Sequence, residues 1–308
     1  MAPVEGSPLL TLFSVPKSFI GHTGVIQRNA IGSWKQLGTD VDVILCGDDG
    51  GVSETAGELG VRHIPQVGRN EYGTPILSSV FHAAWAASDS PLLAYVNADI
   101  VLFPDFVAAA AQLPRTHLMV GGRWNVELGE ELEFCGSWER SLRQTLDATG
   151  VRAPPLWIDY FVFSRDSPLV DLPPFAVGRP HWDNWMIYRA RSLGIPVVDA
   201  TRFVDAVHQN HGYAHVPRAS GGLWQGPEAE ANAALSGDIP LMSLHHATHV
   251  LTSKGLRRAT MSPYLRARWY TRRAVNGNFE KFARAIAPFV VPVLRVRRRF
   301  RKATRALL

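Results

Sequence analysis

The first hundred residues alternate between two kinds of hydrophobic pattern. Continuous apolar runs at 9–15, 41–46 and 92–96 have the length, and the bounding Gly, Pro and Asp, of strands buried on both faces. Stripes with helical spacing lie between them. Ile26, Ala30, Trp34 and Leu37 form the first, with Thr23 as its expected cap and Gly38 as its stop. A short helix at 54–59 and a strand at 62–67 follow. Thr74-Pro75 reads as a cap and first-turn proline ahead of a helix that buries Ile76, Leu77, Val80, Phe81, Ala84 and Trp85, and Pro91 closes it. Strand and helix in alternation predict a mostly parallel sheet covered by helices.

The pattern loosens beyond residue 110. Strands are expected at 117–121 and 157–163, a helix at 138–146, and loops at Pro154-Pro155 and Pro173-Pro174. A helix begins near Asp183 and carries Trp185, Met186, Ala190 and Leu193 inward. A last strand is expected at 197–207, running into His208-Gln209-Asn210-His211. Residues 214–243, rich in Gly, Ala and Pro without firm period, read as a loop or lid.

Composition adds a second part to this picture. Apolar residues make up 46% and charged residues 19% of the 308, a globular balance that leaves room for one large domain and an appendage. The net charge of +5 is unevenly spread: from Lys254 onward 16 Lys and Arg face the single acid Glu280, while the remainder holds 16 basic and 26 acidic residues. This divides the chain into a domain at 1–250 and a basic, amphipathic, helical extension at 251–308. Its Arg residues, interleaved with Leu265, Trp269 and Tyr270, suit a helix lying on an anionic membrane; a solvated tail is the plainer reading. Nucleic acid is the rival polyanion, but no nucleic-acid motif accompanies the charge. The longest apolar stretch in this part, 285–294, contains Pro288 and Pro292 and falls short of the roughly 20 residues a span needs. The N-terminal residues lack a signal-peptide pattern. With only Cys46 and Cys135, a disulfide framework and a paired-thiolate zinc site are excluded, and a reducing cytoplasmic setting, peripheral on the inner face of the membrane, is expected.

The candidate chemistry sits at strand ends, where ligands of open α/β sheets bind. Asp99 follows the run at 92–96; Asp48 and Asp49 follow that at 41–46. Carboxylate oxygens with a neutral imidazole suit a divalent ion, and His208, His211 and His215 supply three imidazoles within eight residues. Taken singly, Asp99 is equally well read as a strand-ending turn residue, and the histidines as polar loop positions. Asp183 is either a helix N-cap or a general base, with Trp182 and Trp185 beside it read as platforms for an acceptor or as core side chains. Asp159, an acid within an apolar strand, is a second candidate for base or acceptor contact. Arg69 and Arg123 are candidates to offset charge on a leaving group, and each reads equally well as a solvated surface charge.

The order of strand, helix, Cys46-Gly47-Asp48-Asp49, Asn70-Glu71-Tyr72-Gly73-Thr74-Pro75 and Tyr95-Val96-Asn97-Ala98-Asp99-Ile100 resembles the nucleotide-sugar-binding half of the GT-A glycosyltransferases, family-2-like in character, over roughly residues 8–215. The resemblance implies an α/β GT-A fold and metal-assisted transfer of a sugar from a UDP- or GDP-sugar to a hydroxyl of a glycan or lipid-linked acceptor. The superfamily binds Mn²⁺ or Mg²⁺ through an Asp-X-Asp sequence. Here Asn97 occupies its first position, so the metal role passes to Asp99, aided by a late histidine, His208 first and His211 second. Asn97 becomes a donor contact, Asp48 and Asp49 fall beside the nucleoside, and Asp183 matches the base of inverting members. Two other readings remain: a catalytically inactive nucleotide-sugar or glycan-binding module at the membrane, and a sugar nucleotidyltransferase. Against the latter, Phe13-Ser14-Val15-Pro16-Lys17-Ser18 has no glycine run.

Overall fold

The computed structural model describes residues 7–114, 116–211, 225–237, 239 and 242–260. Its first half follows the apolar pattern: β1 (Leu10–Ser14), α1 (Gly21–Lys35), β2 (Val41–Cys46), α2 (Val52–Leu59), β3 (Arg62–Ile64), α3 (Leu77–Ala87) and β4 (Leu92–Val96). The second half adds β5 (Ile100–Val101), α4 (Asp105–Ala111), β6 (Leu118–Val120), β7 (Arg123–Val126), α5 (Trp138–Thr149), β8 (Val151–Arg152), β9 (Tyr160–Ser164), α6 (Trp182–Ser192), β10 (Val197–Asp199), β11 (Ala206–Gln209), α7 (Pro227–Ser236), β12 (His249–Thr252) and β13 (Gly255–Arg258).

Nine strands form one sheet in the order β13-β12-β10-β6-β9-β4-β1-β2-β3. β3, β2, β1 and β4 are parallel, as are β6, β10 and β12; β9 lies antiparallel between the two groups. The sheet is thus mostly parallel, as the alternation of patterns predicts. Its strands are apolar throughout because helices cover both faces. Phe13, Leu93 and Tyr95 point into one layer with α3 and α6, while Leu10, Leu12, Ala94 and Val96 point into the other with α1, α2 and α4. A second, smaller sheet, β5-β11-β7-β8, stands over α5 and carries β11 beside the end of β4.

From β1 the chain winds outward to β2 and β3, then crosses back to place β4 on the other side of β1. The winding direction reverses there. Parallel strands on either side of such a reversal leave a crevice at their carboxyl ends, and this positions the site.

Several elements depart from expectation for local reasons. α1 starts two residues before Thr23, behind an extended Ile20 that provides no side-chain cap. Thr74-Pro75 does not open α3: Pro75 bridges to Arg69 and Ile76 to Ala176, so the segment is extended. Trp85 and Leu193 point outward, Trp85 against the Arg165 guanidinium 4.8 Å away. The strand expected at 197–207 is two strands in two sheets, broken where the Asp199 carboxylate accepts the Thr201 N–H (3.0 Å). Within the expected loop at 214–243, residues 227–236 are α7, with Pro227 in its first turn and Gly237 beyond its end. The hairpin of β12 and β13 completes the sheet, so the expected boundary at residue 251 falls inside a strand and 251–258 are not helical. The basic residues from 261 onward lie outside the described residues.

Candidate active site

A cavity of about 200 Å³ opens at the crevice between β1 and β4. Val15 and Lys17 line it just beyond β1, Tyr95, Asn97 and Asp99 at and beyond the end of β4, and Arg123, Asp159, His208 and His211 from the far side. Asp99 owes its place to the pairing of β5 with β11, which sets Ile100 opposite His208. His208 Nε2 lies 3.5 Å and His211 Nε2 3.1 Å from the same Asp99 oxygen, Oδ2. Gln209 fixes this arrangement: fully buried, it donates to the carbonyl of Ile26 (2.8 Å) and accepts from Asn29 (2.9 Å). Burial pushes the Asp99 carboxyl up, but the two histidines and the charge of Arg123 outweigh it and hold the group well below the usual carboxylate range.

Asp99, His208 and His211 fit a divalent ion. Their ligand atoms all lie within 4.8 Å of one another. Two ligands at right angles on an ion with bonds of about 2.1 Å are roughly 3 Å apart, close to the observed carboxylate–imidazole spacings. Asp99 Oδ1 is also buried without a hydrogen-bond partner among the described residues, a costly state that a cation or its bound water would relieve. His215, the third histidine considered, lies outside the described residues.

Asn97 and Asp159 form the floor beside this cluster. The Asn97 amide donates to Asp159 Oδ1 (2.8 Å), and its backbone N–H donates to the Asp159 carbonyl (2.9 Å). Arg123 pairs with the other Asp159 oxygen at 2.7 Å, both side chains being buried. Asp159 is thus held from two sides, by a hydrogen bond from the Asn97 amide and by an ion pair with Arg123. Arg123 is likewise committed to Asp159 ahead of any leaving group.

Asp183 stands on the first turn of α6. The N-cap position belongs to His181, so Asp183 is not the cap. Its Oδ1 is buried without a hydrogen-bond partner among the described residues. Burial pushes its carboxyl up to about 7, opposed by the backbone N–H groups of Asn184 and Asp183 and assisted by the negative charge of Asp159. A carboxylate that titrates near neutrality is suited to take a proton and release it. His181 has φ 87° and is the one non-glycine residue with positive φ among the described residues. That sharp bend turns the chain from Gly178, on the cavity wall, into α6.

Trp182 and Trp185 are core side chains and not acceptor platforms. They are only 6% and 9% exposed; Trp182 packs on Tyr95 and Phe161, and Trp185 on Phe175. The apolar stripe of α6 needs them inside.

At the end of β2, Gly47 adopts φ 100°, a conformation open to glycine, and turns Asp48 and Asp49 toward the loop at 68–76. Arg69 clasps both, at 2.5 Å from Asp48 and 3.1 Å from Asp49. Its guanidinium, expected beside a leaving group, is occupied in ordering these carboxylates. The same loop is tied to α7: Glu228 accepts from Asn70 (2.7 Å) and pairs with Arg179 (2.5 Å), joining the 68–76 and 176–181 segments.

Two cavity residues escaped the sequence reading. Lys17 follows β1 as Asp48 follows β2, and its charge interacts with Asp99 and Arg179. Gln27 on α1 grips its backbone, accepting the Lys17 N–H (2.6 Å) and donating to the Lys17 carbonyl (2.8 Å). The strand-end rule that singled out Asp48 and Asp99 applies equally to Lys17.

No protein-family model and no curated protein matches the chain. Among solved structures it is similar to glucosyl-3-phosphoglycerate synthase from Mycobacterium tuberculosis. The structure of that enzyme with Mn²⁺, UDP and glucosyl-3-phosphoglycerate matches at 16% identity over 76% of this chain and 81% of that one, with a TM-score of 0.44. Its complex with Mn²⁺, UDP-glucose and phosphoglyceric acid matches at 18% identity over the same shares, with a TM-score of 0.45. A likeness of this size assigns neither substrate nor activity, and the chemistry rests on the residues themselves.

Proposed function

We propose that this chain is a metal-assisted glycosyltransferase that moves a sugar from a UDP- or GDP-sugar to a hydroxyl acceptor with inversion, Asp183 acting as base. The observation that carries this reading is the Asp99–His208–His211 cluster, opening on a cavity at the reversal between β1 and β4. Asp99 and the two histidines would hold Mn²⁺ or Mg²⁺, which when bound neutralises charge on a diphosphate leaving group. Asp48, ordered by Arg69, contacts the nucleoside together with Asp49. Asn97, its amide nitrogen fixed by Asp159, offers its carbonyl oxygen to a donor hydroxyl. Asp183 takes the proton of the acceptor hydroxyl as that oxygen bonds to the anomeric carbon and the bond to the diphosphate breaks. The acceptor is a glycan or lipid-linked alcohol, brought to the site at the anionic membrane surface by the basic tail. No helix among the described residues is long and apolar enough to cross a membrane.

Transfer and hydrolysis of UDP- and GDP-sugars, followed with Mn²⁺ present and chelated, test this function. Metal-dependent release of nucleoside diphosphate with an inverted anomeric product is expected. Nucleotide binding without turnover of any donor would overturn it in favour of a binding module.

A further inference from the structure

With Trp182 and Trp185 in the core, the exposed aromatic surface next to a cavity-lining residue belongs to a different tryptophan. Trp157 is 42% exposed and Leu156 beside it 43%. Trp157 stands two residues before Asp159, and the Arg123 guanidinium lies 5.0 Å from its ring centre. Arg123 and Asp159 both line the cavity, so the ring stacks on one wall residue and stands two positions from another. Arg123 backs the indole on one side and leaves the rest to solvent; the indole N–H has no hydrogen-bond partner among the described residues.

The segment carrying this ring is held in place. The Trp157 N–H closes a turn onto the Pro154 carbonyl (3.0 Å), Pro155 accepts the Leu244 N–H (3.0 Å), and the Ala153 N–H bonds to the Arg123 carbonyl (3.0 Å). Two prolines and three backbone bonds fix an exposed Trp-Leu pair that contributes little to the core. A fixed aromatic surface with one unspent donor binds a ligand at low ordering cost.

Its place along the sheet edge indicates which ligand. Asp48 is at the end of β2, Asp99 at the end of β4, and Trp157 precedes β9, in the spatial order β2-β1-β4-β9. The nucleoside carboxylates and the ring therefore lie on opposite sides of the metal cluster. We propose that Trp157, with Leu156, is the acceptor subsite and takes the apolar face of a pyranose ring, its indole N–H donating to a ring hydroxyl. The subsite's role as acceptor site rests on the transferase reading; its affinity for a pyranose does not.

Saturation-transfer NMR on the full chain separates the two. Methyl glucopyranoside, mannopyranoside and galactopyranoside are the probes, with the linear polyol sorbitol as control, each with and without UDP or GDP and Mn²⁺. The expected result is saturation of ring protons of at least one pyranoside and none of sorbitol, lost at least tenfold in Trp157→Ala and weakened but still detectable in Trp157→Phe, which keeps the ring face and lacks the N–H. Nucleotide affinity measured by calorimetry should be the same in all three proteins. Pyranoside binding that is absent from the wild type, or unchanged in Trp157→Ala, overturns the subsite. Weakened nucleotide binding in Trp157→Ala overturns it also, by placing the ring on the donor side. Failure of UDP and GDP to bind the wild type, with pyranoside binding intact, sinks the transferase reading and leaves Trp157 as the platform of a glycan-binding module.

Discussion

Asp183 and Asp99 are both carboxylates, and their surroundings push them in opposite directions. Asp99 is held ionised by two imidazoles, while burial keeps Asp183 protonated up to about pH 7. A base must first lose its proton, so kcat/KM should rise with pH through an apparent pKa near 7, and Asp183→Asn should lower turnover about 10²- to 10⁴-fold. Stability runs the other way. The folded state holds the Asp183 proton to about pH 7 and the unfolded chain only to about pH 4, so this group's contribution is present below pH 4 and lost as pH rises through 7. Asp183→Asn should therefore melt about 2–4 °C above wild type at pH 8 but not at pH 4, read by calorimetry. Two nitrogen ligands beside one carboxylate also favour Mn²⁺ over Mg²⁺. Manganese EPR titration should show affinity falling about 10- to 100-fold or more in His208→Ala and in His211→Ala, with Mg²⁺ a poor competitor. Asp99 and His208 were legible in the sequence because each ends an apolar run. The engagement of Asp159 was not, because its partner Arg123 lies 36 positions away on another sheet.

At the scale of elements, burial on both faces made β1, β2 and β4 readable almost to the residue. α7 escaped because alanine-rich turns bury small side chains and leave no apolar stripe, and β13 because Arg257 and Arg258 on a sheet-edge strand look like solvent-exposed charge. The apolar period of α6 was visible, but not that its tryptophans face Tyr95 and Phe175. His181 is the junction on which that helix depends. A positive φ on a side-chain-bearing residue costs roughly 1–3 kcal/mol, and it persists here where the chain leaves the cavity wall for Asp183. His181→Gly should relieve this strain and raise the melting temperature by about 2–4 °C. Turnover should fall as Asp183 loses its fixed approach, while Mn²⁺ affinity stays unchanged; a variant with full turnover would show the bend to be incidental.

The whole molecule places its excess positive charge beyond its last described strand. Residues 261–308 carry 13 Lys and Arg against Glu280, whereas β13 belongs to the sheet. A truncation that tests the tail must therefore end at residue 260; one made at 253 would strip an edge strand from the core. Removing 261–308 should abolish co-sedimentation with phosphatidylserine vesicles at physiological salt and leave donor hydrolysis in solution intact. Equal sedimentation of both proteins would place membrane affinity elsewhere.

The pairing of Asp99 with His211 spans 112 positions and joins the end of the large sheet to the small one. Closing so long a loop belongs late in folding, after the strands on either side have found their partners. A divalent ion on these side chains thus acts as a clasp on the finished molecule and not as a seed for it. Added Mn²⁺ should leave the refolding rate unchanged and slow unfolding, so that the ion prolongs the lifetime of the native state without hastening its birth.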